Sequence, residues 1–306
     1  MSIDNVIIKK FITKELFHEK SDNKDLPKIS VITPSYNQGY FLERTILSVL
    51  NQKYPNIEYI IIDGGSTDNS VHIIKKYSHY ISYWVSEKDN GQSNALNKGL
   101  AKATGDIFAY LASDDILMPG ILNKAANLFK DDLSLDAVFG NKLLINKDDN
   151  IVGERRIVYS KHFSKIGFLS SSGFGLYVDS AFIKRDVLNF LNGFDESLNV
   201  CMDVDVVMKL LVNNSNIKAI KDPIIGFRLH EQCKTIHHSD QGPLEVEMLM
   251  KKYSAKRVPI VFRKILKLLW TVFFIAQGDI KYVINRVFLE KMGQYHNLSN
   301  LAMIKA

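Results

Sequence analysis

One stretch, Gly105-Asp106-Ile107-Phe108-Ala109-Tyr110-Leu111-Ala112-Ser113-Asp114-Asp115, constrains this chain more than any other. Its apolar run follows a glycine and has the length of a buried strand. The run ends in two adjacent carboxylates, and Met118-Pro119-Gly120 then turns the chain. In an open α/β sheet, ligands bind just beyond the carboxyl ends of the strands. Two Asp side chains at such an edge are hard oxygen ligands, suited to Mg²⁺ or Mn²⁺ and a phosphate-bearing substrate. A local reading competes: Ser113 or Asp114 caps a helix expected over residues 120–130.

The residues before this stretch favour the first reading. Residues 29–33 read as a strand, and Pro34 to Gly39 as a turn. Over residues 41–52, Leu42, Ile46, Val49 and Leu50 fall on one helical face. A strand over 58–62, a loop from Asp63 to Ser70 and a helix over 71–77 follow. Next come a strand over 81–85, a loop over 86–93 and a helix over 94–104. This is the βαβ grammar of a parallel sheet covered by helices. After Asp115 the grammar loosens. Strands are expected over 136–141, 143–146 and 151–159, with a short one ending at Val178. A helix over 180–191 closes at Asn192-Gly193. A further helix starts at Met202, with Val204, Val207, Met208 and Leu211 on one face. A strand covers 217–220, and residues 226–230 read as a loop.

At 306 residues, the chain suits one large domain with an appendage. Its boundaries are set as an N-terminal extension over 1–27, a main domain over 28–240 with halves 28–116 and 117–240, and a basic helical region over 241–306. Cys201 and Cys233 give no disulfide framework, which favours a reducing compartment, and no secretory signal is visible. Residues 251–306 carry 11 Lys and Arg against 2 Asp and Glu, a net +9 that leaves −3 for the first 250 residues. Apolar residues fill the spaces between these charges from Pro259 to Ala276, which argues against a nucleic-acid surface. Arg263, Lys264 and Lys267 interrupt them, so no charge-free run reaches the ~20 residues of a spanning helix. Such a helix either lies in a membrane interface, through residues 251–290, or packs on its own domain or on the partner in a homodimer.

Three successive strand ends carry groups suited to a nucleotide. The Tyr36 ring can stack on a base, Asp63 can accept from a base N–H, and Gly64-Gly65 lets backbone approach closely. Asp114 and Asp115 complete the set. Singly, each has a local reading as packing, turn or cap. Jointly, at consecutive βα edges, they point to a nucleotide. No G-x-G-x-x-G follows the first strand, which argues against a dinucleotide-dependent oxidoreductase.

Pro34-x-Tyr36-Asn37, Asp63-Gly-Gly-Ser-Thr-Asp68, Asp89-x-Gly91-x-x-x-Ala95-x-Asn97-Lys98-Gly99, Thr104-Gly105-Asp106 and Ser113-Asp114-Asp115 resemble, in order and spacing, the family 2 glycosyltransferases. The resemblance runs over residues 29–235 and is to bacterial enzymes of surface polysaccharide synthesis, such as capsule or O-antigen. It implies a GT-A fold, a mixed α/β sheet flanked by helices with a helical C-terminal appendage. It also implies a nucleotide-sugar donor, UDP-linked, with Mn²⁺ or Mg²⁺, an inverting transfer, and a hydroxyl of a glycan or lipid-linked oligosaccharide as acceptor. Pro34, Tyr36, Asn37 and Asp63 are assigned to the nucleotide, Asp114 to ribose or metal, and Asp115 to the metal. Asp89, Gln92, Asn94 and Lys98 line the donor side. Ala112 stands where many relatives carry the first Asp of a D-x-D, and Asn94 where an Asp is common.

Inverting transfer requires a base for the acceptor hydroxyl. Met202-Asp203-Val204-Asp205 resembles the family's acidic motif, with Asp203 as base and Asp205 in reserve; the local reading makes Asp203 a helix cap. Arg228-Leu229-His230 resembles the C-terminal Arg-x-His, with Arg228 on the diphosphate and His230 a third metal ligand. The expectation is a cytoplasmic enzyme, placed at the inner face of the membrane if the basic helix docks there. Its rival is a catalytically inactive module of the same fold that holds a nucleotide sugar.

Overall fold

A computed structural model describes residues 5–15, 25–157, 159, 176–231, 233 and 241–254, with isolated positions between 261 and 275. The chain divides into two compact units, Met1–Tyr159 with Gly175–Arg228, and Ser160–Phe174 with Leu229–Ala306.

In the first unit, helix α1 (Asn5–Thr13) precedes β1 (Ile29–Ser35), α2 (Gly39–Leu50), β2 (Ile57–Asp63), α3 (Ser70–Lys76), β3 (Tyr83–Ser86), α4 (Gln92–Lys102) and β4 (Ile107–Tyr110). These strands pair in parallel, β1 with both β2 and β4, and β2 with β3. All seven residues of β1 are buried, the hydroxyl residues Ser30, Thr33 and Ser35 included, as suits a strand covered on both faces. Its side chains alternate between two faces. Ile29 and Val31, with Tyr59, Ile61, Ile107 and Ala109 of the neighbouring strands, share one core with Leu42 and Ile46 of α2 and Ile73 and Ile74 of α3. On the other face α4 lies so close to β1 that a methyl group at Gly99 would run into Ile32 Cγ2.

The rest of the unit comprises β5 (Ile116–Leu117), α5 (Ile121–Asp131), β6 (Ala137–Asn146), β7 (Ile151–Arg155), a 3₁₀ turn (Val178–Ser180), β8 (Ala181–Lys184), α6 (Arg185–Phe190), α7 (Met202–Val212) and β9 (Ile217–Leu229). Among the described residues nine strands form one mixed sheet in the order β3-β2-β1-β4-β8-β6-β9-β5, with β7 beside β6. From β1 the chain winds outward through β2 and β3, then returns to lay β4 on the other side of β1. That reversal is a topological switch point, and it leaves a crevice outside the carboxyl ends of β1 and β4.

Four differences from the sequence reading have physical causes. Part of residues 1–27 is helical: Ile8 and Ile12 of α1 are fully buried in a cluster with Ile116, Met118 and Ile145. The two strands expected around Asn141 are the single strand β6. The helix expected over 180–191 starts only at Arg185, because Ala181-Phe182-Ile183 pairs antiparallel with β4 and with β6, burying Phe182 and Ile183. The expected close holds, with Asn192 and Gly193 both at positive φ and the Gly193 N–H donating to Leu188 O. Finally, Gly226 to Leu229 is strand rather than loop, with Gly226 opposite Ile116. Glycine is needed there because a Cβ would lie 2.8 Å from Ile116 Cγ1. The strand expected to end at Val178 falls mostly outside the described residues, and Val178 itself lies in the 3₁₀ turn. The second unit contributes α8 (Gln241–Lys252).

Candidate active site

The loops after β1 and β2 are stitched into one rim. Asn37, at φ 51°, takes a left-handed conformation that Asn tolerates. Its N–H donates to Ser66 Oγ at 2.8 Å, and its Oδ1 accepts the Thr67 N–H at 2.8 Å. Asp68 accepts the N–H of Gly39 at 2.8 Å and of Ser70 at 2.9 Å, closing the same seam. Asp63 is fully buried, and its carboxylate accepts from the Gly65 and Ser66 N–H groups and from the hydroxyls of Ser66 and Ser86. Its observed work is to shape the loop. Pro34 lies inside β1 opposite Ile62, whereas Tyr36 projects from the rim with its side chain exposed. Gly64 leaves backbone bare beside Asp89: a Cβ there would stand 2.8 Å from Asp89 Oδ2.

Asp114 and Asp115 do not cap a helix. Strand β5 follows them, and α5 begins only after Gly120, whose φ is 74°. Asp115 is buried, with its backbone carbonyl held by the Thr45 hydroxyl at 2.7 Å and Oδ1 accepting the Arg228 N–H at 2.8 Å. Burial first, then the neighbouring charges of Asp114 and Asp179, push its carboxyl well above the ordinary range. A buried hard-oxygen donor that its surroundings hold against ionising, beside a second carboxylate, is what a divalent cation relieves, so this set fits one.

Arg228 turns inward. Its side chain is fully buried: Nε donates to Asp114 O at 2.7 Å, one terminal nitrogen reaches Asn146 O at 3.1 Å and Asp149 Oδ1 at 2.5 Å, and the guanidinium lies 4.9 Å from the Phe41 ring centre. These contacts brace the Asp114-Asp115 turn. His230 belongs to the second unit, where its N–H donates to Cys233 Sγ at 3.4 Å.

Helix α4 supplies the opposite wall. Gln92 Nε2 donates to the Tyr110 hydroxyl at the end of β4. Lys98 pairs with Glu87 at 2.7 Å. Asn94 and Asn97 donate to the two oxygens of Glu196, at 2.9 and 2.8 Å, and so tie α4 to the loop that leads into α7. That loop delivers Asp203 in the first turn of α7, where Cys201 is the N-cap residue, so Asp203 is not the cap. Burial, then the charge of Asp179, raise the Asp203 carboxyl to about 6, with Lys142 opposing. Asp205 is fully buried and paired with Lys209 at 2.8 Å.

Sequence reasoning missed the group between these carboxylates. Lys142 of β6, buried, bonds both oxygens of Asp179 at 2.5 and 2.6 Å and lies 4.0 Å from the Tyr177 ring centre. Asp179 sits in the turn before β8, within electrostatic reach of Asp115, Asp203 and the buried Tyr110 hydroxyl. The two residues lie 37 positions apart, and no spacing rule joins them.

The chain is similar to several known proteins. Chondroitin synthase of Escherichia coli is 28% identical over 206 residues, which is 65% of this chain and 29% of that protein. The Campylobacter jejuni GalNAc(5)-diNAcBac-PP-undecaprenol beta-1,3-glucosyltransferase is 32% identical over 183 residues, 56% of this chain and 53% of its own. Each alignment thus spans well under two thirds of the relative's length. Among solved structures, S. aureus TarS 1-349 in complex with UDP-GlcNAc superposes with a TM-score of 0.57 at 21% identity, over 74% of this chain and 65% of that one. The mannosyltransferase PcManGT from Pyrobaculum calidifontis, in complex with GDP-Man and Mn²⁺, gives 0.55 at 18% identity, over 92% and 79%. These likenesses establish the fold, the helix-flanked mixed sheet of the GT-A type. The family model for glycosyl transferase family 2 matches residues 30–191, which contain the switch-point crevice, the stitched rim and the acidic pair, and the chain belongs to that family.

Proposed function

We propose that this chain is an inverting glycosyltransferase that moves a sugar from a UDP-linked donor to a hydroxyl of a glycan or lipid-linked oligosaccharide in surface polysaccharide synthesis. One observation supports the reading: the stitched rim follows β1 and β2, the acidic pair Asp114-Asp115 follows β4, and Asp179 acts electrostatically on both Asp115 and Asp203. Nucleotide sugars in the TarS and PcManGT structures support the donor class, and the name of the Campylobacter relative supports a lipid-linked acceptor.

In this reading Tyr36 stacks on the base above the loop that Asp63 and Asn37 shape. Asp89, Gln92, Asn94 and Lys98 line the sugar side. Asp115, with Asp114, would hold Mn²⁺ or Mg²⁺, which when bound supplies Lewis-acid stabilisation of the departing diphosphate. Arg228 acts through Asp114 and Asp115 by fixing their turn. Asp203 accepts the proton of the acceptor hydroxyl as that oxygen bonds the anomeric carbon. The bond from that carbon to the diphosphate oxygen breaks on the opposite face, and the configuration inverts. A carboxyl near 6 is a better base than an ordinary one and is still ionised at neutral pH. The enzyme would work at the inner face of the cell membrane, where a lipid-linked acceptor is presented.

The test is a donor screen of the purified full chain with Mn²⁺, offering UDP-Glc, UDP-Gal, UDP-GlcNAc, UDP-GalNAc, GDP-Man and dTDP-Rha, with Asp115→Ala as control. Release of one nucleoside diphosphate, lost in the control, is the expected result. Tight metal-dependent UDP binding without turnover, even with candidate acceptors added, would overturn it in favour of a catalytically inactive module.

A further inference from the structure

Helical residues beyond α8 present an apolar face to solvent. Val261, Ile265, Leu268, Leu269, Val272 and Ile275 are all helical and 45–65% exposed. Their offsets of 4, 7, 8, 11 and 14 from Val261 put them on one side of a helix. In α8 of the same unit, Leu244 and Met248 are also exposed, one turn apart. Solvent-facing aliphatic side chains grouped on one face mark an interaction site rather than a solvated helix. The sequence threads Arg263, Lys264 and Lys267 among these positions, within a segment of net charge +9. No helix among the described residues is long and apolar enough to cross a membrane.

We propose that this face docks on an anionic membrane surface, with the helix lying in the plane of the interface. The aliphatic side chains enter the headgroup–acyl boundary, and the positive charge of the segment is drawn to the lipid phosphates. A second copy of the chain is the rival occupant, and charge decides against it. Pairing two such segments brings two +9 regions together, whereas an anionic leaflet neutralises each. This inference deepens the proposed place of work but stands on the helix alone, so vesicle binding and donor turnover can fail independently.

The experiment is flotation of the purified full chain with vesicles of phosphatidylcholine alone or mixed with phosphatidylglycerol, at low and high salt. Binding to the anionic vesicles is expected, weakening with salt. Arg263→Gln/Lys264→Gln/Lys267→Gln should lower partitioning roughly 100-fold, and Leu268→Asp/Val272→Asp at least roughly tenfold. Thermal unfolding of both variants, unchanged from the parent, confirms that they fold. Two results would overturn the proposal. One is a folded parent that stays unbound by phosphatidylglycerol vesicles at low salt. The other is a dimer, seen by light scattering, that the Asp substitutions dissolve while vesicle binding is absent.

Discussion

Asp203 is placed so that its chemistry and its effect on stability pull in opposite directions. Its carboxyl stands at about 6 in the folded chain against 3.8 as a reference value. The folded state therefore holds that proton more tightly than the unfolded one does. Below the lower value both states are protonated and nothing is lost. Between the two, ionisation becomes steadily more costly to the fold, and above the upper value the cost is constant. Asp203→Asn should remove that cost while abolishing the base. Donor turnover to acceptor should fall by a factor on the order of 10² to 10⁴, while the unfolding midpoint at pH 7.5 stays at or above that of the parent. That advantage should vanish near pH 4. A kcat/KM profile that fails to rise through pH 6, or a variant less stable at pH 7.5, would remove Asp203 from the role. The acidic motif was legible at this scale because an acid in the first turn of an apolar helix is a short-range pattern. The contacts of Arg228 were not, since its partners Asp114, Asn146 and Asp149 lie 79 to 114 positions away and only the folded sheet brings them in.

Elements sort by how locally they are specified. The parallel half was readable nearly strand by strand, because its strands are short apolar-rich runs set between turn residues and α2 carries its own helical period. The antiparallel half was less so: Ala181-Phe182-Ile183 becomes strand only because β4 and β6 leave a slot between them. That slot is also what carries Asp179 to its place, across from Lys142 on β6. The pair joins two elements and sets a field that Asp203 feels from both charges, raised by Asp179 and lowered by Lys142. Asp179→Asn should therefore move the acid limb of the kcat/KM profile down by about 0.5 to 1 pH unit, and Lys142→Met should move it up by a similar amount. Both variants can slow turnover through lost packing, so the opposite signs of the two shifts are the diagnostic. Shifts of the same sign, or none, would reduce the pair to a structural bridge.

At the scale of the whole molecule, the first unit hangs its metal-fitting loop between two supports that come from opposite ends of its sequence. From one side Arg228, on the last strand, holds the Asp114 carbonyl and the Asp115 carboxylate. From the other, α1 buries Ile8 and Ile12 against Ile116 and Met118, the residues that follow Asp115. A polar N-terminal stretch gave no sign of this, because two isoleucines one turn apart on a short helix look the same whether or not a sheet waits for them. Ile8→Ala with Ile12→Ala removes apolar volume from that cluster and should cost about 2 to 5 kcal/mol per site, read by urea unfolding. If the cluster fixes the Asp115 loop, the double variant should also need more Mn²⁺ for half-maximal turnover, by several-fold, at a temperature where it is fully folded. A matched loss of stability made elsewhere in the core, as by Leu96→Ala on the α4 face, should leave the metal requirement where it was. Equal effects of the two on the metal requirement would mean that α1 stabilises the unit without steadying the loop.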